Sequence, residues 1–135
     1  MQTSGTFEVK AFTPTDVTPE PAVATALPIG LVHMEKTYAG GVTGRSATLF
    51  TAAFDQVTGV GSYLAMEAFE GTLDGREGTF AYMHSATTSG EDRRHEFFRI
   101  VEGSGTGALA GIRGTGWMRV DADGTHRVGF DYDVD

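Results

Sequence analysis

Tyr63-Leu64-Ala65-Met66-Glu67-Ala68-Phe69-Glu70-Gly71-Thr72-Leu73-Asp74-Gly75-Arg76-Glu77-Gly78-Thr79-Phe80-Ala81-Tyr82-Met83-His84-Ser85 is the stretch on which the fold turns. Two runs rich in aromatic and small apolar residues flank an Asp-Gly dipeptide. That dipeptide tolerates the left-handed backbone of a tight hairpin turn. Pairing about Asp74-Gly75 sets Glu67 nearly opposite Tyr82 and diagonal to His84, so the turn brings a carboxylate and an imidazole onto neighbouring strands.

The same grammar repeats on both sides of this hairpin. Ala39-Gly40-Gly41, Asp55 to Gly59, Thr88 to Glu91, Glu102 to Gly105 and Asp121 to Gly124 each break a run rich in Val, Thr, Phe and Tyr. Thr6 to Phe12 alternates in the period-2 pattern of a half-buried strand. Thr13 to Pro28, which carries all four prolines, reads as a long loop. The runs centre near Val9, Met34, Thr48, Ala65, Ala81, Phe97, Ile112 and Phe130, which makes eight strands. Connections this short favour an antiparallel meander, and closing the sheet on itself removes its exposed edges. The expected fold is all-β: an eight-stranded antiparallel closed β-barrel with little helix, forming one domain over residues 1–135. Thr51 to Asp55, helical by propensity, sits between β-rich runs and reads as a strand end.

Composition narrows the function classes. With 135 residues the chain is long enough to bury a core unaided. The absence of cysteine excludes a disulfide framework, a thiolate metal site and a cysteine nucleophile. A net charge of -8 makes nucleic acid an unfavourable partner. No apolar run is long enough for a membrane-spanning helix and no secretory signal is legible at Met1 to Gly5, so membrane is not expected as a partner and cytoplasm is the expected compartment. The basic cluster Arg93-Arg94-His95 is flanked by Glu91, Asp92 and Glu96 and reads as a solvated turn with local ion pairs.

Two stretches resemble a known family. Glu67 to Phe80 running into His84-Ser85 carries one signature, and Val101-Glu102-Gly103-Ser104-Gly105-Thr106-Gly107-Ala108-Leu109-Ala110-Gly111-Ile112-Arg113-Gly114-Thr115-Gly116 carries the other. Together they resemble the small bacterial proteins of the domain of unknown function 3224 family, across nearly the whole chain. The resemblance implies an allene oxide cyclase-like barrel with an internal cavity, and it implies no reaction. Read physically, the second stretch lacks the Lys-Ser/Thr and the following helix of a phosphate loop; its glycines are expected to let a strand bend around a small barrel.

Inside a barrel, alternate side chains face the lumen. On the strand around Ala81 the bulky side is Phe80, Tyr82 and His84, which places His84 inward. The parity of Tyr63 to Glu70 is ambiguous, both faces being apolar. With Glu67 inward as well, Glu67 and His84 form the candidate catalytic pair; the competing reading is a buried carboxylate held by His84 or Tyr82 for structural reasons. Tyr63, Tyr82, Glu35, Arg99 and Trp117 are the candidate ligand-binding residues. Lys36 prefers solvent and would turn Glu35 and His33 inward, whereas Val32, Met34 and Tyr38 argue the reverse. Arg99 is either a counter-ion of a buried carboxylate or a surface group. Trp117 either packs in the core, closes a barrel end or stacks on a ligand. No His-X-His or His-X-X-X-Glu spacing on one face suggests a metal, and no cofactor is expected. The functions left are a barrel that binds a small, mostly apolar molecule, as a cofactor-independent cyclase or isomerase, or a non-catalytic carrier or self-associating module with a filled lumen. Leu64, Met66 or Phe50 on the outer face would favour a homo-oligomer, a dimer or larger.

Overall fold

The computed structural model describes residues 1–135, and nearly all of its regular structure is strand. Eight strands follow in order: β1 (Gln2–Pro14), β2 (Ile29–Gly40), β3 (Val42–Phe54), β4 (Val60–Leu73), β5 (Arg76–Ser89), β6 (Arg93–Ile100), β7 (Arg113–Val120) and β8 (His126–Asp133). Each pairs antiparallel with its sequence neighbours, and β8 returns to β1 over Gln2↔Asp131 to Phe7↔His126, closing the barrel. At the central hairpin, Asp74 and Gly75 take φ of 50° and 83°, the left-handed pair a two-residue turn requires. Thr51 to Phe54 extends β3, as its β-rich setting implies.

Register assigns every strand a lumenal face. Lys36, Tyr38, Ser46, Thr48, Glu67, Phe69, Phe80, Tyr82 and His84 are all buried there, while their chain neighbours Glu35, Thr37, Arg45 and Ala47 are exposed. The half of the lumen nearest Asp74 is filled by a cluster that includes Phe69, Leu73, Phe80, Ile112, Phe130 and Tyr132. Aromatic rings interlock within it, Tyr82 stacking on Phe98 at 4.9 Å between centroids and Phe80 meeting Phe130 edge-on at 5.5 Å. A Thr3–Asp74 hydrogen bond of 2.7 Å and a Tyr132–Asp74 one of 3.1 Å tie the central turn to the first and last strands.

Several expectations are corrected. The Pro-rich loop begins later than Thr13, because β1 continues through Pro14, which sits opposite Val32 at the strand's end where its missing N–H costs little. Its residues 16–26 are exposed, so it does not plug the barrel. Most of the glycine-rich stretch is not a bent strand: a 3₁₀ turn at Gly107–Leu109 and irregular backbone precede β7, and only Gly114 and Gly116 lie within it. That connector runs along β5, with Ser104 and Thr106 side chains accepting from the Ala81 and Thr79 amides at 2.9 and 3.1 Å. Arg93-Arg94-His95 opens β6 rather than forming a turn. Phe50 faces the lumen; Leu49, Leu64 and Met66 form an exposed apolar stripe outside.

Replacing residues 17–26 by a four-residue Gly-Ser segment should leave the thermal midpoint within about 5 °C of the native value, since shortening a loop changes closure entropy by only about 0.6 kcal/mol per halving. A larger drop in differential scanning calorimetry would show that the loop supports the barrel end.

Candidate functional site

The chemistry of the lumen is organised around Glu67. Its position on β4 directly opposite Thr48 and Tyr82 carries the carboxylate to the barrel interior, where it is 0% exposed. An unpaired carboxylate there would be prohibitively costly. Four donors meet it: Oε2 accepts from Lys36 Nζ at 2.7 Å and from His84 Nε2 at 2.5 Å, and Oε1 accepts from Ser46 Oγ at 2.9 Å and Tyr38 OH at 3.0 Å. Tyr82 OH lies 2.7 Å from Tyr38 OH, extending the network to a second buried phenol. On the far side of the imidazole, Tyr63 OH stands 2.9 Å from His84 Nδ1 and accepts from Arg93 at 2.8 Å.

Environment sets the protonation states. Burial, the largest influence on Glu67, works against its charge, but the His84 hydrogen bond and the Lys36 ammonium outweigh it and hold the carboxyl well below its usual range. Burial also lowers the His84 pKa, more than Glu67 raises it, so the ring is neutral near pH 7. Its Nε2–H then donates to Glu67, and Nδ1 accepts from Tyr63. Burial pushes the Tyr38, Tyr63 and Tyr82 hydroxyls up, so all three remain protonated donors. The array Arg93–Tyr63–His84–Glu67–Lys36 can pass a proton along hydrogen bonds while both of its charged ends stay fixed.

Glu67, His84, Tyr63 and Tyr82 thus converge in one cluster. Glu35 does not: β2 turns Lys36 inward and leaves Glu35 exposed on the outer face, because a buried carboxylate opposite supplies the partner Lys36 would otherwise seek in water. Arg99 is exposed on the outer wall of β6. Trp117 is 36% exposed and lies outside the barrel, its ring over Gly129, where any Cβ would strike it, and under the Arg119 guanidinium at 4.4 Å. Sequence reasoning missed Lys36, Tyr38, Ser46 and Arg93. The apolar row Val32, Met34 and Tyr38 was the signal for β2. Nothing local marks Ser46, and Arg93 is recognisable only once β5 and β6 are paired. Thr48 is also buried in this layer, and its hydroxyl has no protein partner.

Two recesses adjoin the cluster. At the barrel end away from Asp74 the lumen widens into a mouth of about 590 Å³, with Phe12, Val32, Phe50, Ala52 and Phe54 among its walls and Pro14 and Pro28 at its rim. Phe50 stacks on Tyr63 at 4.8 Å between centroids and separates the mouth from the ionised layer. A smaller recess of about 210 Å³ touches His84 and Arg93 from the side.

A closed eight-stranded antiparallel barrel with an ionised cluster in its lumen is the class of protein these features define. The chain belongs to the DUF3224 family, described as proteins of unknown function, whose model matches residues 3–132. It is similar to the crystal structure of a DUF3224 protein of unknown function from Shewanella oneidensis MR-1, with 29% identity, a TM-score of 0.83, and coverage of 100% of this chain and 98% of that one. No curated protein matches it.

The two lowered pKa values act in the same direction. For both groups the unfolded chain binds the proton more readily, so stability present at neutral pH is lost on acidification, first as pH falls through the unfolded His84 value near 6.5 and later toward the Glu67 range. Between pH 7 and 5, unfolding free energy should fall as the unfolded-state histidine takes up a proton that buried His84 resists, and His84→Gln should flatten that segment in denaturant melts. Glu67→Gln and Lys36→Met should each cost about 3–5 kcal/mol by stranding the opposite charge. The double variant should cost less than the sum by at least about 1 kcal/mol. Additive losses in chemical denaturation would mean the ion pair is not the cluster's organising contact.

Proposed function

We propose that this barrel binds a small, mostly apolar molecule in its mouth. The observation that supports the reading is the mouth itself: a recess of about 590 Å³ into which Phe12, 56% exposed, turns its ring. That size falls within the range of small-molecule pockets, and an apolar wall with few polar groups is their usual character. Membership of an allene oxide cyclase-like superfamily is part of the same reading, as is cyclase- or isomerase-type chemistry without a cofactor. In that chemistry Tyr63 is the group nearest an incoming ligand, and His84 and Glu67 take up and return its proton. A ligand would reach Tyr63 by displacing the Phe50 ring.

A second reading is favoured by a different observation. Both Glu67 oxygens and both His84 ring nitrogens are already engaged, and half of the lumen is packed with side chains. In that case the cluster fixes the barrel's architecture and the protein is a non-catalytic structural module with a filled lumen.

Titration with the neutral fluorophore N-phenylnaphthylamine separates the cases. Saturable binding in the micromolar range, weakened about tenfold or more by Phe12→Asp, is the expected result. Phe12 is exposed, so the substitution leaves the core intact. Absence of saturable binding, or indifference to Phe12→Asp, would leave the structural reading.

A further inference from the structure

The wall of the barrel is incomplete at one place. β6 and β7 share a single registered pair, Arg99↔Thr115, whereas β7 and β8 share eight from Arg113↔Asp133 to Val120↔His126. Continued in the same register, the β6–β7 ladder would pair Phe98 with Gly116, Phe97 with Trp117 and Glu96 with Met118. Those pairs are not made, and the recess of about 210 Å³ lies among these six residues. The backbone is irregular at the same place: β6 shifts register against β5 between Ser85 and Thr87, and His95 takes a left-handed φ of 55°.

We infer that this seam is a binding site for a small single-ring aromatic molecule carrying a hydroxyl group, separate from the mouth. Its size suits that class, since a cavity of about 150 Å³ accepts benzene, and the seam holds a ring with a substituent. Its walls are the faces and edges of Phe97, Phe98 and Trp117, which favour a flat π-system over a branched aliphatic one. Its inner end is polar. Arg93, which bonds Tyr63 OH at 2.8 Å and pairs with Glu96 at 3.4 Å, has further guanidinium donors, and His84 borders the same space. A hydroxyl directed inward meets the remaining Arg93 donors, beside the imidazole, while the ring stays between the strands. The mouth offers no equivalent: neither His84 nor Arg93 lines it. The seam therefore borders the imidazole on a side that Phe50 does not cover.

Trp117 is the only tryptophan and sits at the seam, so its fluorescence reports occupancy directly. Phenol and toluene, matched in size, are the probes. The expected result is a saturable change in Trp117 emission with phenol in the millimolar range, with toluene about tenfold weaker. Arg93→Met, a substitution at the partly exposed start of β6, should remove the preference for phenol while toluene still binds. Phe12→Asp should change neither. A change in emission that is linear in phenol concentration shows collisional quenching and overturns the site. So does a preference that survives Arg93→Met, or binding abolished by Phe12→Asp, which would assign the probe to the mouth. Failure of N-phenylnaphthylamine to bind leaves this result unaffected, so the two readings stand or fall separately.

Discussion

A carboxylate buried in the lumen of a small barrel is the constraint on which the rest depends. Glu67 must find several donors at once, and Lys36 comes from β2, Ser46 from β3 and His84 from β5. Because side chains alternate faces, a slip of one residue in any of these pairings would carry a donor to the outer surface and leave the charge bare. The cluster therefore couples the registers of four consecutive strands. Its net contribution to stability is a separate matter, since desolvation consumes much of what the ion pair returns. What it supplies is discrimination among registers that the Gly-, Ala- and Thr-rich strands would otherwise tolerate.

The cluster also divides the barrel. On the Asp74 side, rings and branched side chains fill the space, and hydrogen bonds donated to Asp74 by Thr3 and Tyr132 lace the end shut. On the other side the inward positions include Ala52, Ala65 and Ala86, too small to meet across the lumen, and the Phe50 and Tyr63 rings stack over the ionised layer. One end thus resembles a domain core and the other a vessel. The ionised layer is the floor between them.

How much of this was legible follows from what each residue depends on. The central hairpin is local: Asp74-Gly75 dictates its turn, the turn dictates that Glu67 faces Tyr82, and the aromatic row of β5 dictates that His84 points inward. Lys36 was not legible in the same way, because its single-residue preference for water is reversed by a partner on another strand. Val32, Met34 and Tyr38 carried the correct parity and were set against that preference. Trp117 misleads for a related reason. A lone tryptophan suggests a core, but Gly129 on the neighbouring strand offers a flat outer site, and a glycine's missing side chain leaves no mark in the Trp117 segment. The glycine-rich stretch fails as a strand because its hydroxyls and amides bond to β5, a partner that sequence spacing does not identify.

The β1–β8 ladder joins residues separated by almost the entire chain, and the amino group of Met1 bonds the carbonyl oxygen of Tyr132 at 2.8 Å. Every other ladder links strands that are neighbours in sequence, and the six among β1 to β7 can form before β8 has been made. The closing ladder cannot. Without β8 the sheet is open, and β1 and β7 are left as unprotected edges. The closing contact has the highest sequence separation in the molecule and carries the largest entropic cost of ring formation. The interval before closure is when such edges are most open to pairing with a second copy, and the docking of β8 on β1 is what ends that interval.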